Sequence, residues 1–106
     1  MNDLEEFIMQ NEAVKSKLEY EYERFYMECI CLSKAGIFSK SFEIELKKNV
    51  VKLLKKQLDD GETFSEEILV LDNILDDVYR YVADHQNEKA IEALVDEWKE
   101  TVAKNH

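Results

Sequence analysis

The residues of this chain that could carry chemistry are few, and their spacing argues against most of it. Two cysteines, Cys29 and Cys31, and two histidines, His85 and His106, are the whole stock of thiol and imidazole groups. A carboxylate-bridged di-iron bundle needs Glu-x-x-His pairs, but Val82 and Ala103 stand three residues before the histidines. Zinc wants four ligands, whereas Cys29-Ile30-Cys31 with His85 supplies three, poorly spaced. Cys29 reads instead as a small core residue with Cys31 on its flank. A calcium loop around Asp59-Asp60-Gly61-Glu62 and Glu67 fails as well. With Gly61 in sixth place, the first and third positions hold Lys56 and Leu58, where carboxylates belong. No metal and no cofactor is expected.

Covalent and acid–base catalysis fare no better. A nucleophile needs a base beside it, and two histidines leave almost no candidates. Glycine loops that cradle phosphates are missing. Pairs of carboxylates are plentiful, yet twenty-four acids on helix surfaces produce pairs by chance, and a hydrolytic pair also needs a cleft. The expectation is a protein with no catalytic residues, not an enzyme.

Charge is the next signal. Fourteen Lys and Arg against twenty-four Asp and Glu leave −10 at neutral pH, while 45% of the residues are hydrophobic. That apolar fraction suits a folded domain and is too high for an acidic disordered tail. The net charge disfavours direct nucleic-acid binding, since a phosphate backbone would be repelled. No apolar run approaches the ~18 residues of a membrane span, and no secretory leader pattern opens the chain, so no membrane partner is expected. The charge is unevenly spread: residues 40–58 carry a local +4 and residues 59–100 a local −11.

The elements that must position these residues read as helices. With no proline and only two glycines, Gly36 and Gly61, the chain lacks the turn residues a sheet-rich fold needs. Leu4, Ile8, Leu18, Tyr22, Phe25, Cys29 and Leu32 recur at helical spacing, with polar Asn11 and Lys15 interrupting. They predict one long helix over about 3–35, opened by the Asp3/Glu6 capping-box spacing, kinked or restarted near Asn11 and stopped by Gly36. A period-two strand over Glu19-Tyr20-Glu21-Tyr22-Glu23 is the rival reading, outweighed by its flanks. A second helix over 41–59 is capped by Ser39 or Ser41, with Phe42, Leu46, Val50, Leu53 and Leu54 in one stripe and Lys48, Lys52, Lys55 and Lys56 on the opposite face. Thr63 and Glu66 open a third over 64–83, whose stripe of Phe64, Ile68, Leu71, Leu75, Val78 and Val82 is the most regular in the chain. Asn87 caps a fourth over 88–103, carrying Ile91, Leu94, Trp98 and Val102. The fold expected is all-α, one domain over 1–106, a compact bundle of about four antiparallel helices with a long first helix. On a helix Cys29 and Cys31 point about 200° apart, a poor geometry for a mutual disulfide. A reducing, cytoplasmic setting follows as the expectation.

Three groups then stand out as binding surfaces. Glu92, Asp96 and Glu100 step by four along the fourth helix, a row of carboxylates ~6 Å apart that resembles the charge repeat of a nucleic-acid strand. Asp72, Asp76 and Asp77 extend the same acidic region. Tyr20 and Tyr26 are aromatics left partly outside the first helix's stripe, a composition common at protein contacts. Val70, Ile74 and Tyr81 form a second apolar strip on the third helix, open to a partner or to a homodimer.

Two stretches, Ile37-Phe38-Ser39-Lys40-Ser41-Phe42-Glu43-Ile44 and Leu71-Asp72-Asn73-Ile74-Leu75-Asp76-Asp77-Val78-Tyr79, resemble an uncharacterised family of short, acidic bacterial proteins found in Firmicute-type genomes and their mobile elements. The resemblance implies an all-helical cytoplasmic protein associated with phage or plasmid. It transfers no activity and no site residue. Together these signals lead to the expectation of a non-catalytic, acidic protein-binding module, an inhibitor of the anti-CRISPR or anti-restriction type that occludes a basic nucleic-acid-binding surface on a protein partner. The alternative is a homo-oligomeric structural or regulatory protein.

Overall fold

A computed structural model describes residues 3–104, and His106, weighed above as a ligand, lies outside them. Among the described residues the chain forms six helices and no strand: α1 (Asp3–Ile30), α2 (Lys34–Ser39), α3 (Ser41–Asp59), α4 (Glu66–Leu69), α5 (Ile74–His85) and α6 (Ile91–Lys104). The all-helical expectation holds, and the rival strand at residues 19–23 is helix. No described helix is long and apolar enough to cross a membrane.

The stripes read from the sequence supply the core. Val14 and Leu18 of α1, Val50, Leu54 and Leu58 of α3, Leu75, Val78 and Val82 of α5, and Leu94, Trp98 and Val102 of α6 are buried in a single cluster. Leu46, Val51, Phe64, Ile68, Ile74 and Val95 belong to it as well, whereas Leu4, Ile8, Leu32 and Phe42 of the expected stripes are exposed, because no neighbouring helix packs over them among the described residues. Ion pairs between Lys15 and Asp59 and between Glu19 and Lys55 show α1 and α3 running in opposite directions.

Six helices form where four are expected because local capping competes with the long stripes. The first helix ends at Ile30 and not near residue 35. Ser33 takes the N-cap of α2, its hydroxyl accepting from the Gly36 N–H at 3.1 Å. Gly36 is therefore no helix stop. It lies inside α2, where a Cβ would come within 3.0 Å of the Leu32 Cβ. Asn11 neither kinks nor restarts α1. It is buried, and its amide Nδ2 donates to the Glu62 carbonyl at 3.4 Å. The α3 helix spans the expected 41–59, but neither serine caps it. Lys40 stands at its N-cap with no side-chain bond, and Ser39 donates back to the Gly36 carbonyl. Gly61, at φ +95, supplies the left-handed residue just past the end of α3.

The third expected helix is the largest correction. Residues 64–83 divide into α4 and α5, separated by Val70–Asn73. The Thr63/Glu66 capping box does not form; Ser65 occupies the N-cap of α4 without a capping bond. Asn73 caps α5, its side chain accepting from the Asp76 N–H at 2.9 Å. Asn87 caps nothing in the fourth helix, which starts at Ile91, with the Leu94 N–H bonded to the Ala90 carbonyl.

Candidate functional site

The break between α4 and α5 is organised by α1. The buried carboxylate of Glu21 accepts from the backbone N–H groups of both Ile74 (3.0 Å) and Leu75 (2.9 Å), satisfying two of the unbonded donors at the start of α5. A carboxylate there also meets the positive end of the helix dipole. One turn earlier on α1, the Lys17 ammonium donates to the Leu71 carbonyl. The two residues clamp the ends of the same short connection.

Beside this junction sits a lysine that is almost wholly buried. Lys47 of α3, with 3% of its side chain exposed, donates to Asp76 at 2.7 Å and pairs with Glu43 at 2.8 Å. Its ammonium lies 3.8 Å from the centre of the Phe25 ring and 5.2 Å from that of Tyr79. Burial acts to lower the Lys47 pKa, but the hydrogen bonds it donates to Asp76 and Glu43 outweigh it, so the net shift is upward. Lys47 is thus a fixed cation that ties α3 to α5. Glu21, Lys47, Lys17, Arg24 and Asp76 line a groove of about 420 Å³ beside α1. The sequence pattern assigns no site role to Glu21 or Lys47. The available signal was a charged residue inside an apolar arc: Glu21 three after Leu18, Lys47 four before Val51.

The six acids expected to bind a partner divide into two kinds. Asp76 is held by Lys47 and lies 3.8 Å from Arg80. Asp77 accepts from the Trp98 indole N–H at 2.7 Å. Asp96 accepts from the Gln57 amide at 3.3 Å and lies 3.6 Å from Lys99. These three bond across to neighbouring helices, Asp77 and Asp76 from half-buried positions and Asp96 from an exposed one. Asp72, Glu92 and Glu100 are exposed and form no ion pair among the described residues. The expected acidic region is therefore an outer set of unpaired carboxylates, Glu92 and Glu100 on α6 and Asp72 in the connection between α4 and α5.

The aromatic and apolar candidates are also redistributed. Tyr20 is exposed, with its hydroxyl 3.1 Å from Arg24, and Tyr26 is partly exposed and stacked on Tyr22 at 6.2 Å. Val70, Ile74 and Tyr81 do not form one strip, because the helix that would align them is broken. Val70 is 73% exposed in the connection, and Ile74 is fully buried in the core and unable to meet a partner. Tyr81 is half-buried, stacked on His85 at 4.4 Å and donating to Glu97 at 3.3 Å. Of the expected lysine face, Lys48, Lys52 and Lys56 are exposed, and Lys55 pairs with Glu19.

The cysteines differ in environment. Cys29 is buried and Cys31 exposed, both free thiols. Burial, then the negative charge of Glu43, raises the Cys29 thiol above its ordinary 9.0. Since the thiolate is the reactive form, Cys29 needs more alkaline conditions as well as local opening. Titration of the native protein with a thiol reagent near neutral pH should give one rapid equivalent, lost in Cys31→Ser, and a second only on unfolding. Two rapid equivalents in the native state would contradict the placement of Cys29.

Among the described residues no cluster of three or more His, Cys, Asp or Glu is placed to hold a metal ion. Compared with protein families, curated proteins and solved structures, the chain matches none.

Proposed function

We propose that this protein is a non-catalytic binding module whose acidic α5–α6 side docks on a basic surface of a protein partner and occludes it. The observation that supports this reading is the division of the acids. Asp76, Asp77 and Asp96 are bonded inward, while Asp72, Glu92 and Glu100 face outward without cations of their own. Glu92 and Glu100, fixed on α6, lose little freedom on binding, so more of their attraction appears as affinity. Their field also steers encounter with a cationic cleft. A basic cleft of this kind is typically built for a nucleic-acid backbone, and the partner class that fits best is a nucleic-acid-binding protein held inactive by the acidic surface. An inhibitor of the anti-CRISPR or anti-restriction type is the form such occlusion takes in this reading.

The test is affinity capture from a host lysate with the wild-type chain and with Asp72→Asn, Glu92→Gln and Glu100→Gln combined. All three positions are exposed, so the fold is unaffected. The expected result is a basic partner retained by the wild type at low salt, weakened about tenfold or more by the triple substitution and by raised salt. A partner set unchanged by neutralisation, or binding indifferent to salt, would sink the reading.

A further inference from the structure

The join between α4 and α5 breaks where the sequence offers no breaker. Residues 64–85 contain neither glycine nor proline, and their apolar stripe runs through the break without a change of rhythm. Phe64, Ile68, Leu71, Leu75, Val78 and Val82 follow one another at four, three, four, three and four residues. Helical bonding already reaches residue 70, where the Val70 N–H meets the Glu66 carbonyl at 3.1 Å. Two of the bonds that would carry it on into α5 are Ile74 N–H to the Val70 carbonyl and Leu75 N–H to the Leu71 carbonyl.

Side chains of α1 intercept these bonds. The Glu21 carboxylate accepts from Ile74 at 3.0 Å and Leu75 at 2.9 Å, while the Lys17 ammonium donates to the Leu71 carbonyl. Lys17 and Glu21, one turn apart, thus hold the acceptor and the donor of a single helical bond, Leu75 to Leu71. Asn73, extended at φ −141 and ψ 99, seals the break by capping the Asp76 N–H. We infer that Lys17 and Glu21 are the latch of a two-state joint, whose second state is one continuous helix over residues 66–85. Straightening with the latch in place would strip the buried Glu21 carboxylate of both its donors, so the latch holds the bent state. The bent state is also the one that fills the core. Ile68 is enclosed, and Phe64 lies beneath the Lys99 ammonium of α6, 5.5 Å from the ring centre. In the straight helix Ile68 stands six residues from Ile74, about 9 Å along one axis, and Phe64 and Ile68 leave α6 to extend the apolar stripe of α5. The joint therefore governs an apolar surface that the latched fold keeps covered. Lys17 and Glu21 both line the groove beside α1, so the latch is reached from outside without opening the core.

The experiment is backbone NMR with amide hydrogen exchange on the full chain. It compares Lys17→Met, Glu21→Met and Asn73→Ala combined with Glu21→Met alone. The single variant orphans the Ile74 and Leu75 N–H groups and speeds their exchange. Freeing the Leu71 carbonyl and removing the Asn73 cap should reverse that loss. The Cα shifts of residues 70–73 should turn helical, with Ile74 and Leu75 about tenfold better protected than in the single variant. Side chains that only pack give no such reversal, since each further deletion loosens the join. If the triple variant does not fold, Lys17→Met with Asn73→Ala keeps the buried carboxylate and takes its place. In that pair, residues 70–75 should show exchange broadening that wild type lacks. A folded triple variant whose 70–73 shifts stay non-helical, or whose Ile74 and Leu75 exchange quickens further, overturns the inference. So does a pair variant with wild-type shifts and no broadening.

Discussion

Trp98→Ala is expected to lower the unfolding free energy by about 3–5 kcal/mol, the range for emptying a large buried aromatic site. Trp98 is 1% exposed, in the same cluster as Leu54, Leu75, Val78 and Leu94, and its indole N–H donates to Asp77 across the α5–α6 join. Alanine removes the packing of α6 and the hydrogen bond together. Against a total stability on the order of 5–15 kcal/mol for a domain of this kind, that is at least about a fifth of the whole. Trp98→Phe separates the two contributions, because it keeps most of the apolar fill and removes only the donor. Asp77 is half-exposed, so water replaces the indole and the loss should be about 1 kcal/mol. Urea unfolding followed by far-ultraviolet circular dichroism reads both variants. An alanine variant within about 1 kcal/mol of wild type would show that α6 is not anchored through this residue.

Glu21→Ala should cost a comparable amount, about 3–5 kcal/mol, for a different reason. Its carboxylate holds two backbone N–H groups in a buried site, and hydrogen bonds to a charged acceptor contribute about 1.5–3 kcal/mol each. Removing it orphans the N–H groups of Ile74 and Leu75, and Ile74 is fully enclosed. Glu21→Gln leaves one acceptor oxygen and turns an amide donor toward the other N–H, so it should recover only part of the loss. The side-chain cap from Asn73 to Asp76 remains, which keeps most of α5 helical. Amide hydrogen exchange makes the test specific. Protection should fall at Ile74 and Leu75 well beyond the fall at Val78 and Val82. A uniform fall across α5 would mean that Glu21 acts as bulk packing and not as a cap.

These two residues also show how far the sequence could be read. Trp98 lies on a stripe with Ile91, Leu94 and Val102, and helical periodicity alone assigns it to the core. Glu21 lies on a stripe too, between Leu18 and Phe25, but as a charge it reads as an interruption. Its partners are 53 and 54 residues away, and no local pattern points to them. Lys47 is the same case: among six lysines in 40–58 it looks like a member of a solvated face, and only the packing of Phe25, Tyr79, Glu43 and Asp76 around it makes it an interior cation. The acidic candidates divide for that reason as well. Asp76 and Asp77 are adjacent to one another and close to Asp72 in sequence, yet their roles depend on which donor the neighbouring helix presents.

The sequence by itself determined that this chain is helical and most of the residues that fill its core, because amphipathic spacing is a local property, but not that Leu4, Ile8, Leu32 and Phe42 of the stripes stay exposed or that Ile74 is enclosed. It also determined the net charge and its concentration in residues 59–100. Only the tertiary structure decided where the long third stripe breaks, since Glu21 and Lys17 reach across from α1 to hold the ends of that break. It alone decided which carboxylates are bonded inward and which face water. Two carboxylates of identical chemistry are distinguished by whether a donor from another helix arrives within hydrogen-bonding distance, and that is fixed by packing at long range and not by neighbours in the chain.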